Sequence, residues 1–374
     1  MQTELCKKLG IEFPIFAFTH CRDVVAAITN AGGFGVLGAV GFSADQLAME
    51  LDWIDRHVGD RPYGIDIIIP NKYSGQGETD SDKLKKQLIA AIPQFYRDYA
   101  DKILDDIGIP DIDDQGVDYN GLTMTEASSG PQVDLALEHP NIKLIANALG
   151  TPPAHIVKQV QESGRMIGAL CGSPRHAQKH VEAGLDFIVA QGGEGGGHTG
   201  EIGSVVLWPD VVDIAGDIPV IAAGGIGCGR QMHAALSLGA QAIWTGSIWL
   251  AVAESAVSDE DVATLLQAQS ANTVRSKSFT GKYVRMIRNQ WTETWDSSDT
   301  LDPLASPLQI MLARRSLMRA RKAGHPGQAV AFSPAGQIVS RITRRLGARE
   351  LLMEIVEEYI DTHERMNSMI PKEG

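Results

Sequence analysis

The apolar positions along this chain fall into one recurring unit: an amphipathic stretch of helical period, a glycine, and a short apolar run. Residues 23–31 lead through Gly32 and Gly33 into residues 34–37. Residues 154–163 lead through Gly164 into 166–170, residues 176–183 through Gly184 into 187–190, and residues 232–238 through Gly239 into 242–245. A glycine closing a helical stretch suits a left-handed C-cap. An apolar run without alternation suits a strand buried on both faces of a parallel sheet. Further strands are predicted over 64–69, 143–146 and 219–223. The helix starts agree. Ser43-x-x-Gln46 has capping-box spacing, and Thr151-Pro152 and Ser173-Pro174 each set a cap residue before a proline. Strands and helices alternating at this density mean an α/β fold with a parallel sheet, and a (β/α)8 TIM barrel is expected. An open doubly wound sheet is disfavoured, because no Gly-x-Gly-x-x-Gly follows the first strand.

Two regions break the rhythm. Residues 71–130 are polar and acidic, which predicts an insertion after an early strand, with one or two helices over 84–107. From about Ala251 the strand pattern stops. Residues 308–323 form a basic helical stretch whose Arg314, Arg315, Arg319, Arg321 and Lys322 are either solvated or offered to a CoA or nucleotide phosphate. Residues 348–363 are amphipathic, with Leu351, Leu352, Ile355, Val356, Tyr359 and Ile360 on one side. The expected organisation is a barrel over residues 1–250 carrying the insertion, followed by a helical C-terminal extension or lid over 251–374.

Composition narrows the partners. The net charge of −13 argues against nucleic acid or an anionic membrane. Cys6, Cys21, Cys171 and Cys228 show no CxxC spacing and read as free thiols in a reducing compartment. The N-terminus lacks a signal pattern, and no apolar run approaches the ~18 residues of a spanning helix. A soluble cytoplasmic protein without a metal site is expected, acting on a small molecule, with a homodimer compatible.

The 39 glycines cluster where chemistry is expected. Gly224, Gly225 and Gly227 end one apolar strand, and Trp244-Thr245-Gly246-Ser247 ends the next. Glycines at two consecutive strand ends ahead of helices make an anion site, and the last two loops of a (β/α)8 barrel are where phosphate commonly sits. Ser247 adds a hydroxyl donor. The plainer alternative is that these glycines only turn the chain. The stretch Gln191-Gly-Gly-Glu-Gly-Gly-Gly-His-Thr-Gly200 is more distinctive. A buried strand runs into Gln191, and the backbone of Gly192, Gly196 and Gly197 can lie against something flat. Gln191 offers amide contacts to a ring, and His198 offers an imidazole for proton transfer near neutral pH. A lone histidine is more often structural, but here glycines deny it a packed environment. Glu194 either orients His198 or faces solvent, beside the substrate.

The order Gln-Gly-x-Glu-x-Gly-Gly-His-x-Gly, then Ala-Ala-Gly-Gly-Ile, then Thr-Gly-Ser resembles the nitronate monooxygenase family, formerly the 2-nitropropane dioxygenases. The likeness runs from about residue 5 to 250 and resumes over 281–289 and 336–339. It implies a TIM barrel binding FMN non-covalently, and oxidation of an alkyl nitronate or similar carbon acid with O2. By the same resemblance, Gln191 and Gly196 contact the flavin ring, Gly224, Gly225 and residues 245–247 hold the phosphate, and His198 is catalytic. Asp66 falls where the family carries an asparagine touching the flavin, and Asn147 ends a strand at the barrel rim near the ring. The family's first strand reads Pro-Ile-x-Gln-Ala-Pro-Met, whereas this chain has Pro14-Ile-Phe-Ala-Phe-Thr-His20. Phe18 then lies at the flavin edge and His20 becomes a second candidate proton donor. A carboxylate at Asp66 disfavours an anionic reduced flavin unless it is protonated or paired. The alternatives are an NAD(P)H-dependent FMN reductase acting on an enoyl-thioester, acyl-CoA or quinone, and a catalytically silent flavin- or phosphate-binding barrel.

Overall fold

In the computed structural model, which describes residues 1–69, 81–111, 126–298, 301–324 and 329–370, eight parallel strands close into a barrel. In chain order these are β1 (Ile15–Thr19), β2 (Phe34–Gly38), β3 (Tyr63–Ile67), β4 (Ile142–Asn147), β5 (Met166–Cys171) and β6 (Phe187–Gln191). After β7 (Gly197–His198), which lies outside the barrel, come β8 (Val220–Ala223) and β9 (Ala242–Thr245). β9 closes the ring on β1, with Phe16 opposite Trp244. The expected α/β barrel is present, and the glycines ending its helices at Gly32, Gly164, Gly184 and Gly239 all have positive φ.

Strand side chains alternate between the interior and the helical jacket. Phe16, Phe34, Leu144, Met166, Phe187 and Ile221 fill the interior. Ile65, Ile67, Ile145 and Ile167 face outward into a cluster shared with Leu47, Leu51 and Ile54 of helix Ala44–Val58 and Ile156, Val157 and Val160 of helix Ala154–Glu162. Helix Glu4–Leu9 plugs the bottom with Leu5 and Leu9, its Leu5 amide held by Gln241 at the start of β9. Further along the strands, by an even number of residues, the inward positions become Phe18, Gly38, Asp66, Ala146, Leu170, Gln191, Ala223 and Trp244. They line the mouth at the carboxyl ends of the strands, where barrel chemistry resides.

Local signals hold at Ser43, which forms a capping box with Gln46, and at Ser173, whose hydroxyl accepts from the His176 amide. Thr151 behaves differently. Its helix starts later, at Ala154, and its hydroxyl instead donates to Nδ1 of buried His180 at 2.9 Å, while Nε2 donates to the Leu170 carbonyl.

The insertion supplies helices Ser81–Ala90 and Gln94–Asp106, while residues 70–80 and 112–125 lie outside the described residues. The basic helix, Leu308–Lys322, packs on it and commits Arg315 and Arg319 to carboxylates, while Arg321 and Lys322 stay exposed. Arg319 is 1% exposed; it contacts Asp101, Asp105 and Asp111 and donates to the carbonyls of Ile109 and Pro110. Arg315 pairs with Asp101 and Asp111.

The segment after Ala251 is not wholly helical. β10 (Thr273–Ser276) and β11 (Val284–Ile287) form an antiparallel pair, and β7 joins β11 with His198 opposite Val284. These four-residue strands carry Arg275 and Arg285, so they lack the apolar run that marks the barrel strands. The tail helix Ala348–Ser368 buries Leu352, Ile355 and Val356 against the barrel's jacket, while Ile360 stays 45% exposed. Gly229 permits this contact, since a Cβ there would stand 2.2 Å from the Tyr359 amide nitrogen. Among the described residues no helix is long and apolar enough to cross a membrane, and no group of three or more metal-ligating side chains forms. All four cysteines are free and buried.

Candidate active site

β6 delivers Gln191 to the mouth, and the glycine loop then folds back over the barrel rim. Gln191 Nε2 donates to the Gly196 carbonyl at 3.1 Å, closing the loop while leaving Oε1 for a ligand. The loop fits its surroundings too closely for side chains. A Cβ on Gly192 would lie 2.0 Å from Ser204 Oγ, and one on Gly196 would lie 2.8 Å from the Ala335 backbone.

His198, at the end of the loop, is held by β7–β11 pairing and by Thr280. Thr280 donates its hydroxyl proton to the Lys282 carbonyl (3.0 Å), so towards His198 Nε2, 3.1 Å away, its oxygen can only accept. Nε2 therefore carries the ring proton and Nδ1 presents its lone pair. The side chain keeps an exposed edge, but protein crowds it on the other sides. That desolvation, with Lys282 nearby, pushes its pKa down to about 4. The imidazole is thus neutral at physiological pH, a proton acceptor at Nδ1.

The Glu194 carboxylate is engaged by Ser204 rather than by His198. It accepts from the Ser204 amide (2.9 and 3.1 Å) and lies 2.8 Å from Ser204 Oγ, capping helix Ser204–Ala215. Ser204 Oγ also sits 3.0 Å from the Gly224 carbonyl, tying the loop after β6 to the loop after β8. A negative charge at a helix N-terminus satisfies amides that have no intrahelical partner.

The two glycine-bearing strand ends lie side by side. Gly224 and Gly225 have φ of +95° and +69°, and among the described residues the amides of Gly225 and Gly246 donate to no protein acceptor. Ser247 Oγ accepts from the Gly336 amide at 2.8 Å, which leaves its own proton to donate. Two neighbours drop out of the cradle. The Gly227 amide is taken by Gln231 Oε1 at 2.9 Å, and a Cβ on Gly227 would meet Ile338 at 2.5 Å. Thr245 donates to the Phe16 carbonyl and accepts from Trp249 Nε1, both at 2.9 Å, so its hydroxyl seams β9 to β1.

Asn147 likewise stabilises loops rather than offering itself to a ring. Its amide exchanges bonds with Ile69 in both directions (2.9 and 3.1 Å), donates to Gly150 and accepts from Leu149, which exhausts its capacity. Asp66 is the reverse case. It is inward-facing and 2% exposed, between Gly38 and Ala146 in register, and its Oδ1 has no partner. Burial raises its pKa to about 8, against a lowering bond from the Ala148 backbone, so it is a neutral acid at pH 7. That removes the conflict with an anionic ring. On the β1 side, Phe18 and Phe16 each stack on Trp244 at 6.1 Å. His20 donates from Nδ1 to the Gly38 carbonyl at 2.9 Å, which makes its free nitrogen an acceptor rather than the donor expected from the sequence.

Sequence reasoning missed Thr280, Ser204 and Ala335, and gave no role to Arg285, whose Nε donates to the Gly193 carbonyl at 2.8 Å, or to Gly336 and Gln337, although the resembling stretches over 281–289 and 336–339 contain them. The Gln337 amide donates to the Glu194 carbonyl (2.9 Å), so that segment clasps the glycine loop. The motif over 281–289 abuts Thr280 and was the available pointer.

A closed barrel whose mouth combines a glycine loop, a tautomer-locked imidazole and an amide cradle defines a (β/α)8-barrel enzyme. The family model described as nitronate monooxygenase matches residues 2–358. A Mycobacterium tuberculosis protein described as a monooxygenase is 43% identical over 380 residues, all of both chains. The solved nitroalkane oxidase of Streptomyces ansochromogenes superposes with a TM-score of 0.79 at 24% identity, covering 97% of this chain and 99% of that one. The enoyl reductase domain of MlnA from Bacillus amyloliquefaciens gives 0.67 at 13% identity, covering 99% and 100%. The chain belongs to the nitronate monooxygenase family, a family of flavin-dependent oxidoreductases.

Proposed function

We propose that this enzyme binds FMN and oxidises a small carbon acid, a nitroalkane or its nitronate, with O2 as the final electron acceptor. The observation that carries the reading is the bare Nδ1 of His198 beside a mouth built for a flat ring. Gln191 and neutral Asp66 would meet the ring, with Phe18 and Trp244 walling it, and Gly225, Gly246 and Ser247 would hold the phosphate. Bound FMN supplies the two-electron acceptor that no protein side chain provides.

The protein's own contribution is proton handling and position. With a neutral carbon acid, the α C–H bond breaks, the proton goes to His198 Nδ1, and the electron pair stays on the substrate for oxidation. With a nitronate the proton has already left, the neutral Nδ1 has no hydrogen to offer the anion, and the charge of Lys282, close to His198, would attract it. Thr280 holds the ring in the accepting tautomer until the proton transfer. The test is oxygen uptake by the flavin-loaded enzyme with nitroethane and ethyl nitronate. Uptake supports the reading. Absent uptake, with rapid anaerobic bleaching of the flavin by NADPH, would replace it.

That replacement is NAD(P)H-linked reduction of a phosphate-bearing substrate such as an acyl-CoA or enoyl-thioester. One observation favours it: Arg275 and Lys277 both stand over the exposed Tyr283 ring, at 4.8 and 4.7 Å, on the hairpin that holds His198.

A further inference from the structure

A second imidazole, that of His20, stands at the mouth. His20 follows the last residue of β1, while His198 follows β6, with β8 and β9 between them on one side of the ring and β2 to β5 on the other. Its position is built rather than incidental. Gly38 is an inward-facing mouth position, and a Cβ built there would lie 2.6 Å from both Cε1 and Nδ1 of His20. The imidazole therefore occupies the space above Gly38, over the mouth. Phe18, itself inward-facing, meets it edge-on at 5.1 Å and 79°. The Gly38 carbonyl, 2.9 Å away, can only accept, so Nδ1 holds the ring proton. Nε2 is left bare on an exposed side chain, and among the described residues no donor reaches it.

We propose that His20 is a substrate-recognition residue whose Nε2 accepts a hydrogen bond from a hydroxyl on the carbon acid. The substrate class is then a hydroxyl-bearing carbon acid, held by that hydroxyl at β1 while its α-proton faces His198 Nδ1. This rests on the oxidase reading of the site and adds the feature of the substrate that the β1 wall selects. A methionine there, as the resembling family carries, offers only a weak sulfur acceptor. An imidazole nitrogen discriminates between substrates that differ by a single hydroxyl, by about tenfold for one neutral hydrogen bond.

The experiment compares kcat/KM for 2-nitroethanol and nitroethane, read as oxygen uptake by the flavin-loaded full chain. The ratio of the two in each variant, set against the wild-type ratio, removes their different intrinsic acidities. In H20M the ratio should fall about tenfold, and in H20Q, which retains an acceptor, it should fall less. G38A, which displaces the imidazole without altering it, should lower the ratio in the same direction. An unchanged ratio in H20M, or equal losses on both substrates, overturns the proposal and leaves His20 as packing. If the wild type consumes oxygen with neither nitroalkane, the oxidase reading fails separately. Recognition is then read from Kd, by perturbation of the bound-flavin absorbance. A tenfold preference for 2-nitroethanol that disappears in H20M upholds the role of His20, and equal affinities overturn it.

Discussion

Thr280 accepts the Nε2 proton of His198 across 3.1 Å, and this one bond decides which nitrogen of the imidazole faces chemistry. The threonine can do so only because its own proton is committed to the Lys282 carbonyl. Replacing Thr280 with valine keeps the shape and removes the acceptor, freeing the ring to populate the other tautomer. The expected outcome is a 10- to 100-fold loss in kcat/KM with flavin content unchanged, while H198N should lose ~10²-fold or more. Steady-state oxygen uptake beside the absorbance spectrum checks both. Full activity in Thr280→Val would dismiss the tautomer lock.

The pKa of His198 sets the acid limb of activity. A base with a pKa of about 4 is unprotonated across the neutral range. The kcat/KM for an already ionised nitronate should therefore stay flat from about pH 8 down to about pH 5.5, and change only as His198 takes up its proton below that. A pH–rate profile that breaks near 6.5 and loses that break in H198N would contradict the burial argument.

Asp66 links the mouth to stability in the opposite direction. Its folded pKa, about 8, lies above the unfolded 3.8, so between those values the native state binds the extra proton. Its contribution is complete below about pH 4 and is lost as pH rises towards 8, with a slope of at most about 1.4 kcal/mol per pH unit. D66N removes the titration. Thermal melts of the two proteins at pH 5.5 and 8 should show the variant gaining on the wild type at the higher pH. Parallel melting curves would mean that the carboxyl ionises freely.

Much of this architecture is written in local pattern. Unbroken apolar runs, helical period and glycine C-caps recur because a parallel barrel repeats one unit, so a short window suffices to find most of the strands. The hairpin of β10 and β11 escapes the same reading, since its strands are four residues long and carry arginines on the face towards the glycine loop. The site divides along similar lines. Gln191, His198 and the glycines announce themselves, because only a backbone approached by a ligand or another loop excludes side chains so densely. Glu194, Asn147 and Thr245 misled for one common reason. Each is polar at the rim, and each is consumed by a partner remote in sequence or held in a loop whose shape the sequence does not display. The polarity of His20 is likewise set 18 residues away, at the Gly38 carbonyl.

Glu194 itself gives a stability expectation. Glu194→Gln keeps the side-chain size but weakens the cap on helix Ser204–Ala215 and the link through Ser204 to Gly224. A loss of about 1–2 kcal/mol in denaturant unfolding is expected, with catalysis per bound flavin little changed. A specific loss of turnover at full stability would return Glu194 to the chemistry.

Arg319 tests the clamp between the insertion and helix Leu308–Lys322. Its buried guanidinium contacts Asp101, Asp105 and Asp111, whose carboxylates stay partly or largely solvated, and donates to the Ile109 and Pro110 carbonyls, so Arg319→Met removes those bonds without stranding a buried charge. The expected cost is about 1–2 kcal/mol, from the carbonyl bonds of the buried guanidinium and from ion pairs whose carboxylates are solvent-screened. A chemical denaturation midpoint unchanged from the wild type would show the network to be dispensable.

The clasp at residues 335–337 bears on how the enzyme is made. The amides of Gly336 and Gln337 hold Ser247 and the Glu194 carbonyl, while every barrel strand precedes them by ninety residues or more of synthesis. On the ribosome the barrel can close well before its mouth has its final shape. The final shape of the mouth therefore depends on backbone made ninety or more residues after the last barrel strand.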